Sequence, residues 1–190
     1  DKYLDTGLFL DHRNTRQVVG DMAAGKRVLN LFAYTGSFSV YAATGGAISS
    51  ETVDLSNTYL NWTKRNFELN KIDENKHTIV RQDVFQYLQD AFFEQKQFDV
   101  IVMDPPSFSN SKKMLEILDV QRDQQRLIDG AMRLLSPTGT LFFSNNLRSF
   151  ELDEAVSLRY EVKDVSKQSV PEDFRNKKIH QCWRITHKSA

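Results

Sequence analysis

Phe98-Asp99-Val100-Ile101-Val102-Met103-Asp104-Pro105-Pro106-Ser107-Phe108 is the stretch on which the reading of the chain turns. Its apolar, β-branched centre shows no polar alternation, the pattern of a strand buried on both faces. It ends in a carboxylate and two prolines. Proline cannot donate to a strand ladder and restricts the residue before it, so the strand stops at Asp104. A stiff Pro-Pro turn then holds an acid and an aromatic at the carboxyl end of a central strand, where open parallel sheets bind ligands. An aspartate capping a surface turn would read the same way on this segment alone.

Working outward, strands are expected over 27–32, 47–53, 78–81, 98–103 and 140–144. Helices are expected over 38–43, 58–69, 84–93 and 119–135 between and after them. A short helix over 152–158 and two late strands near 160–165 and 179–186 follow, joined by the long loop 166–178. Alternating strands and helices specify an α/β fold, a doubly wound, mostly parallel, seven-stranded Rossmann-like sheet with one antiparallel edge strand. Residues 1–26 are expected to form an N-terminal arm over a pocket, ahead of a catalytic domain over 27–190. The sequence starts at Asp1 without methionine, which suggests a piece of a longer chain.

Composition narrows the function classes. The 190 residues suit one domain, and no apolar run approaches the length of a membrane span. The single cysteine, Cys182, rules out an internal disulfide or a cysteine zinc cluster and fits a cytoplasmic protein. Histidines 12, 77, 180 and 187 show no metal-ligand spacing, so no metal is expected. The net charge is zero, although residues 159–190 carry eight lysines and arginines against four acids, a net of +4.

Three strand ends carry acids. Asp54 follows Gly36 by 18 residues, close to the ~20 expected for an acid that accepts from ribose hydroxyls. Asp83 lies one strand further along the same rim, where it could accept from an adenine amine, and Asp104 ends the next strand. Each acid alone is more often a turn former or helix cap than a ligand, but three in succession after a glycine turn are harder to read that way. The turn Phe32-Ala33-Tyr34-Thr35-Gly36-Ser37 has one glycine, not the three of a dinucleotide fingerprint, and there is no phosphate loop. S-adenosylmethionine, with a ribose and an adenine but no phosphate, fits.

On this glycine turn, Asp54, Asp83 and Asp104-Pro105-Pro106-Ser107-Phe108, the chain resembles the class I S-adenosylmethionine-dependent methyltransferases over nearly its full length. Thr6-Gly7-Leu8-Phe9-Leu10-Asp11-His12-Arg13, residues 30–39 and residues 104–112 are similar to bacterial 23S rRNA methyltransferases of the RlmI and RlmK type. Asp119-Val120-Gln121-Arg122-Asp123, Ser144-Asn145-Asn146 and Ile179-His180-Gln181-Cys182-Trp183 look closest to the RlmK type. That type methylates guanine N7 as half of a fused enzyme whose other half carries an RNA-binding THUMP domain and methylates guanine N2.

The resemblance implies 23S rRNA or a ribosome-assembly intermediate as the target. It also implies a covalently linked RNA-binding half and no membrane. It places Phe32, Tyr34, Thr35 and Gly36 against the methionine part of the cofactor, Asp54 on the ribose, Leu55 against the adenine, and Asp83 and Val84 at the adenine edge. Phe9, Asp11 and Arg13 would close the pocket from the arm. Asp104, Pro105 and Pro106 would form the target end, with Phe108 stacking on an extruded base. Lys112, Lys113, Arg122, Asn145, Asn146 and Arg148 are the candidate RNA contacts, and Arg175, Lys177 and Lys178 form a second basic cluster.

Guanine N7 carries a lone pair and no proton, so Asp104 would orient the base. Methylation of an exocyclic amine, guanine N2 or adenine N6, would use it as a proton acceptor. Cytosine C5 chemistry needs a cysteine nucleophile, and none lies near residues 104–112 or 144–146. A module that binds without turnover and an NAD-dependent dehydrogenase are the readings from other classes.

Overall fold

The computed structural model describes residues 6–109 and 117–188. A single 3-10 turn, Leu10–His12, leads into α1 (Arg13–Met22), followed by β1 (Arg27–Leu31), α2 (Ser37–Thr44), β2 (Ser49–Asp54), α3 (Asn57–Leu69) and β3 (His77–Arg81). Then come α4 (Val84–Phe93), β4 (Phe98–Met103), a small ladder of β5 (Phe108–Ser109) with β6 (Leu118–Asp119), and α5 (Val120–Leu134). The chain continues through β7 (Leu135–Asn145), α6 (Glu154–Arg159), β8 (Glu161–Asp164), α7 (Ser166–Ser169) and β9 (Gln181–Thr186).

Seven strands form one sheet in the order β3-β2-β1-β4-β7-β9-β8. The pairs from β3 through β7 are parallel, and β9 runs antiparallel to both β7 and β8. The sheet is the doubly wound, mostly parallel one expected, and its antiparallel strand lies one position in from the edge, with β8 outermost. The loop before β9 contains the short α7, and the Pro137-Thr138-Gly139 turn is absorbed into β7 by a register shift between Phe98 and Val100. A bulge is where a sheet tolerates proline.

Period-two alternation divides the core. In β4, Ile101 and Met103 face a cluster with Val84, Leu88, Leu127 and Ile128 from α4 and α5. Val100 and Val102 face a second cluster with Val19, Ala23, Phe38 and Ala42 from the segment around α1 and from α2. A strand apolar on both faces is the result, as the opening stretch requires. Residues 13–22, expected within the arm, form a helix that packs on that second face.

Helix starts fix the loops at the strand ends. Ser56 accepts from the amide of Tyr59 at the start of α3, and Asp83 accepts from Phe85 and Gln86 at the start of α4. Such caps satisfy amides the helix leaves without partners. Because Ile101 is fully buried at the sheet centre, Ile101→Ala is expected to lower the unfolding free energy by about 2–5 kcal/mol, measured from the urea midpoint.

Candidate active site

The first crossover turn is the tightest part of the chain. Phe32, Tyr34 and Gly36 all have left-handed backbone, with φ of 54°, 52° and 73°. Two of the three carry side chains, so this conformation costs about 1–3 kcal/mol each unless neighbours enforce it. They do. The Tyr34 amide donates to Asp54 Oδ2 at 3.0 Å, Thr63 Oγ1 donates to the Tyr34 carbonyl at 3.2 Å, and Asn66 Nδ2 donates to the Thr35 carbonyl at 2.8 Å. Gly36 has no alternative, because a Cβ there would lie 2.5 Å from Thr63 Cγ2.

Above this turn, at the carboxyl ends of β1, β2, β3 and β4, lies a cavity of about 520 Å³. Of the expected residues, its wall contains Phe9, Asp11, Phe32, Tyr34, Asp54, Leu55, Asp83, Val84, Asp104, Pro105, Pro106 and Asn146. The row of acids is therefore real: three strand ends meet one cavity. Asp54 Oδ1 accepts from the Ser56 amide at 2.8 Å while Oδ2 holds Tyr34. Burial pushes its carboxyl above the usual range against the pull of the backbone N–H groups of Ser56, Tyr34 and Leu55. Asp83 caps α4 through Oδ1 while lining the wall, so both readings of a strand-end acid hold for it.

At the opposite end, Asp104 Oδ1 accepts from Ser144 Oγ at 2.7 Å, and Asn146 Oδ1 accepts from Ser107 Oγ at 2.7 Å. These bonds join the turn after β4 to the end of β7 and the residue that follows it.

Other expected residues stand elsewhere. Thr35 is buried beneath the turn, where its hydroxyl donates to the Gly7 carbonyl at 2.7 Å. Gly36 shapes the wall without lining it. Arg13 points away from the cavity and pairs with Asp173 at 2.6 Å, because the helix that starts there turns it outward. Phe108 is 59 % exposed, outside the wall formed by Pro106 and Ser109.

Among the RNA candidates, Asn145 is buried and accepts from the Leu147 amide, forming the turn. Arg122 engages Asp123 and the Ile117 carbonyl, Arg148 is exposed, and Lys177 donates to the carbonyls of Pro171 and Glu172. Lys112 and Lys113 lie outside the described residues.

Sequence reasoning missed several wall residues, chiefly His12, Arg16, Asn30, Ser56, Tyr59 and Gln82. Ser56 had a signal as the cap two residues after Asp54, and Asn30 as a polar residue inside an apolar strand. Arg16 had none. It is 2 % exposed, donates to the Phe9 carbonyl at 2.6 Å, and is the one arginine or lysine among the described wall residues.

His12 and His180 stack at 4.2 Å with planes 7° apart, and Asp11 Oδ2 accepts from His180 Nδ1 at 2.7 Å. Asp11, expected to close the cofactor pocket, thus has its carboxylate tied to His180, with His12 nearby. Burial pushes the Asp11 carboxyl up, but the His180 bond and the two imidazoles outweigh it and hold it below the usual range. Burial, the largest effect, pushes the His12 imidazole down against the pull of Asp104.

Cys182 is fully buried in β9 opposite Ser144, and burial pushes its thiol up to about 12. A thiol in that state is no nucleophile.

A doubly wound, mostly parallel sheet with an aromatic-walled cavity at its strand ends, bordered by the acids of three successive strands, defines a Rossmann-like fold with a ligand site at its carboxyl edge. The chain belongs to the S-adenosylmethionine-dependent methyltransferases, whose family model matches residues 1–174. S-adenosylmethionine is the cofactor of this family.

The chain is 76% identical over its whole length to a ribosomal RNA large subunit methyltransferase K from Neisseria meningitidis serogroup B, covering 53% of it. It is 53% identical over 97% of its length to a ribosomal RNA large subunit methyltransferase K/L from Saccharophagus degradans, covering 24% of it. It therefore spans about half or less of the curated relatives it matches. A solved methyltransferase complexed with SAH superposes with a TM-score of 0.84 at 32% identity, over 97% of this chain and 51% of that one.

Two outcomes follow from the strain and the buried imidazoles. Gly36→Ala is expected to cost at least about 1–3 kcal/mol in stability and to weaken cofactor binding, read by thermal melting and calorimetric titration. Burial pushes His12 and His77 both below the ordinary imidazole value of about 6.5. The unfolded chain therefore takes up their protons first as pH falls through that value. Stability should fall as pH drops below their ordinary value and on through their depressed folded values, and His12→Gln should make that fall shallower.

Proposed function

We propose that this chain transfers a methyl group from S-adenosylmethionine to 23S rRNA, with guanine N7 as the acceptor atom. The observation that carries this reading is the position of Asp104. It stands on the wall of the same cavity as Asp54 and Asp83, at the strand end where a target base would meet the cofactor. The likeness to relatives named as large subunit rRNA methyltransferases supports the choice of RNA. In this reading residues 1–26 cover the pocket of a catalytic domain over 27–190. The protein works in the cytoplasm with a covalently linked RNA-binding half, and no helix of the described residues is long and apolar enough to cross a membrane.

The residues present fit the cofactor. Asp54, whose two oxygens are already oriented by backbone amides, would accept from the ribose hydroxyls. Leu55 and Val84 would flank the adenine, and Asp83 would meet its amine. Phe9, Phe32 and Tyr34 would exclude water from the methionine arm, with Arg16 as the wall's cation for its carboxylate. When bound, the cofactor supplies an electrophilic methyl group on a sulfonium.

The protein's task is then to orient the acceptor, since an in-line displacement depends on alignment. A guanine N7 brings its own lone pair and releases no proton, so Asp104 orients the base by accepting from a base N–H, with Pro105 and Pro106 fixing the turn and Phe108 available to stack. Asn145, Asn146, Arg122 and Arg148 are proposed for RNA contact, with Lys112 and Lys113. The cysteine needed for cytosine C5 attack is absent from the wall, since Cys182 is buried behind Ser144.

The test uses the full-length protein with deproteinised rRNA from cells lacking it, followed by nuclease digestion and mass spectrometry. One 7-methylguanosine is expected, and a methylated exocyclic amine or ring carbon would overturn the N7 assignment. Asp104→Ala should lower turnover on the order of 100-fold or more with cofactor affinity nearly unchanged. Asp54→Ala should weaken cofactor binding roughly 10- to 100-fold.

A further inference from the structure

Asp104 is gripped at one oxygen by Ser144, and its other oxygen faces a residue that the functional reading leaves without a task. His12 Nε2 lies 3.4 Å from Asp104 Oδ2. We propose that His12 is the positioning residue that holds the Asp104 carboxylate from the side opposite Ser144, and that Asp11, His180 and Ser169 hold His12. This inference rests on Asp104 being the residue that orients the target base.

The geometry supports it at each step. His12 enters from the Leu10–His12 turn, 4 % exposed, and its ring lies flat on that of His180. His180 is fixed at both ring nitrogens, by Asp11 Oδ2 at 2.7 Å and by Ser169 Oγ at 2.8 Å. Stacking on an anchored ring holds the plane of the His12 imidazole, whose Nε2 lies 3.4 Å from Asp104 Oδ2 and 3.8 Å from Asp11 Oδ2.

The tautomer follows from bonding. Nδ1 of His12 is buried with no hydrogen-bond partner among the described residues. A bare lone pair there is tolerable, whereas an N–H would be a buried donor with no acceptor. The proton therefore belongs on Nε2, facing the carboxylate. The other titratable groups around this ring are Asp11, His180 and Arg16, and Phe38 meets it edge-on.

A separation of 3.4 Å is long for an N–H···O bond, and contacts of this kind tighten when substrate completes the site. With one donor on each oxygen, the carboxylate keeps one rotamer and still has a lone pair for a base N–H. A neutral donor does this without neutralising the acid as an ion pair would.

The experiment compares His12→Ala and His12→Gln in the full-length protein, with rRNA methylation rates and calorimetric cofactor binding as readouts. His12→Ala should lower kcat on the order of 10- to 100-fold, with the cofactor Kd within about twofold. His12→Gln, which places an amide donor near the Nε2 position, should recover most of the loss. In an Asp104→Asn background the same His12→Ala change should have little further effect, because the residue acts through Asp104.

Unchanged kcat in His12→Ala overturns the proposal. So does a parallel loss of cofactor affinity, a failure of His12→Gln to exceed His12→Ala, or full additivity with Asp104→Asn. If His12→Ala does not fold, the comparison of His12→Gln with His12→Phe decides on the same readouts. If the unsubstituted protein transfers no methyl group to rRNA, the underlying reading fails before any substitution is made.

Discussion

Three left-handed residues within five, Phe32, Tyr34 and Gly36, are the constraint from which the site is built. A turn this strained does not hold itself. It is held by the Asp54 carboxylate from β2 and by Thr63 and Asn66 from α3. Thr35 carries the same network outward to the Gly7 carbonyl. Gly7 is itself left-handed and lies where a Cβ would strike the Trp62 ring. The groups that enforce the turn also set where the cavity lies, and Asp54 serves both, so strain and binding surface are one arrangement.

Much of this was legible along the chain. The apolar run ending in Asp104-Pro105-Pro106 shows as a buried strand because local rules act on adjacent residues: proline stops a ladder, and a strand buried on both faces shows no alternation. Asp54 and Asp83 are legible for the same reason, since the strand-turn-helix period places an acid near a fixed offset from Gly36. The order of the last strands was less so. That β9 inserts between β7 and β8 depends on packing partners, among them Trp183 against Phe143 and Phe150, which sequence spacing does not reveal.

The His12 and His180 stack was not legible at all. Its members are remote in sequence, and Asp11, singled out beside His12, is bonded to a residue 169 positions away. Arg16 and Tyr59 escaped for a related reason, since one looks like an ordinary helical cation and the other like a helical aromatic until the fold turns both to the wall. Arg13 and Phe108 belong to runs that reach the cavity without lining it: helix geometry turns Arg13 toward Asp173, and Phe108 stands exposed beyond the Pro-Pro turn.

The bond between Asp11 and His180 makes the two ends of the site unequal in how they come into being. The glycine turn, Asp54 and Asp83 are complete once the first three strands and their helices have formed, and they draw on residues near one another in the chain. The surroundings of Asp104 need β7, the segment containing α7, and a histidine that immediately precedes β9. During synthesis the cofactor side would exist as a folded surface well before the acceptor side. The Asp104 side assembles across a contact between residues 169 positions apart. A nascent chain would then hold a methyl donor's place ready while lacking the geometry to spend it, which ties the onset of chemistry to the completion of the fold.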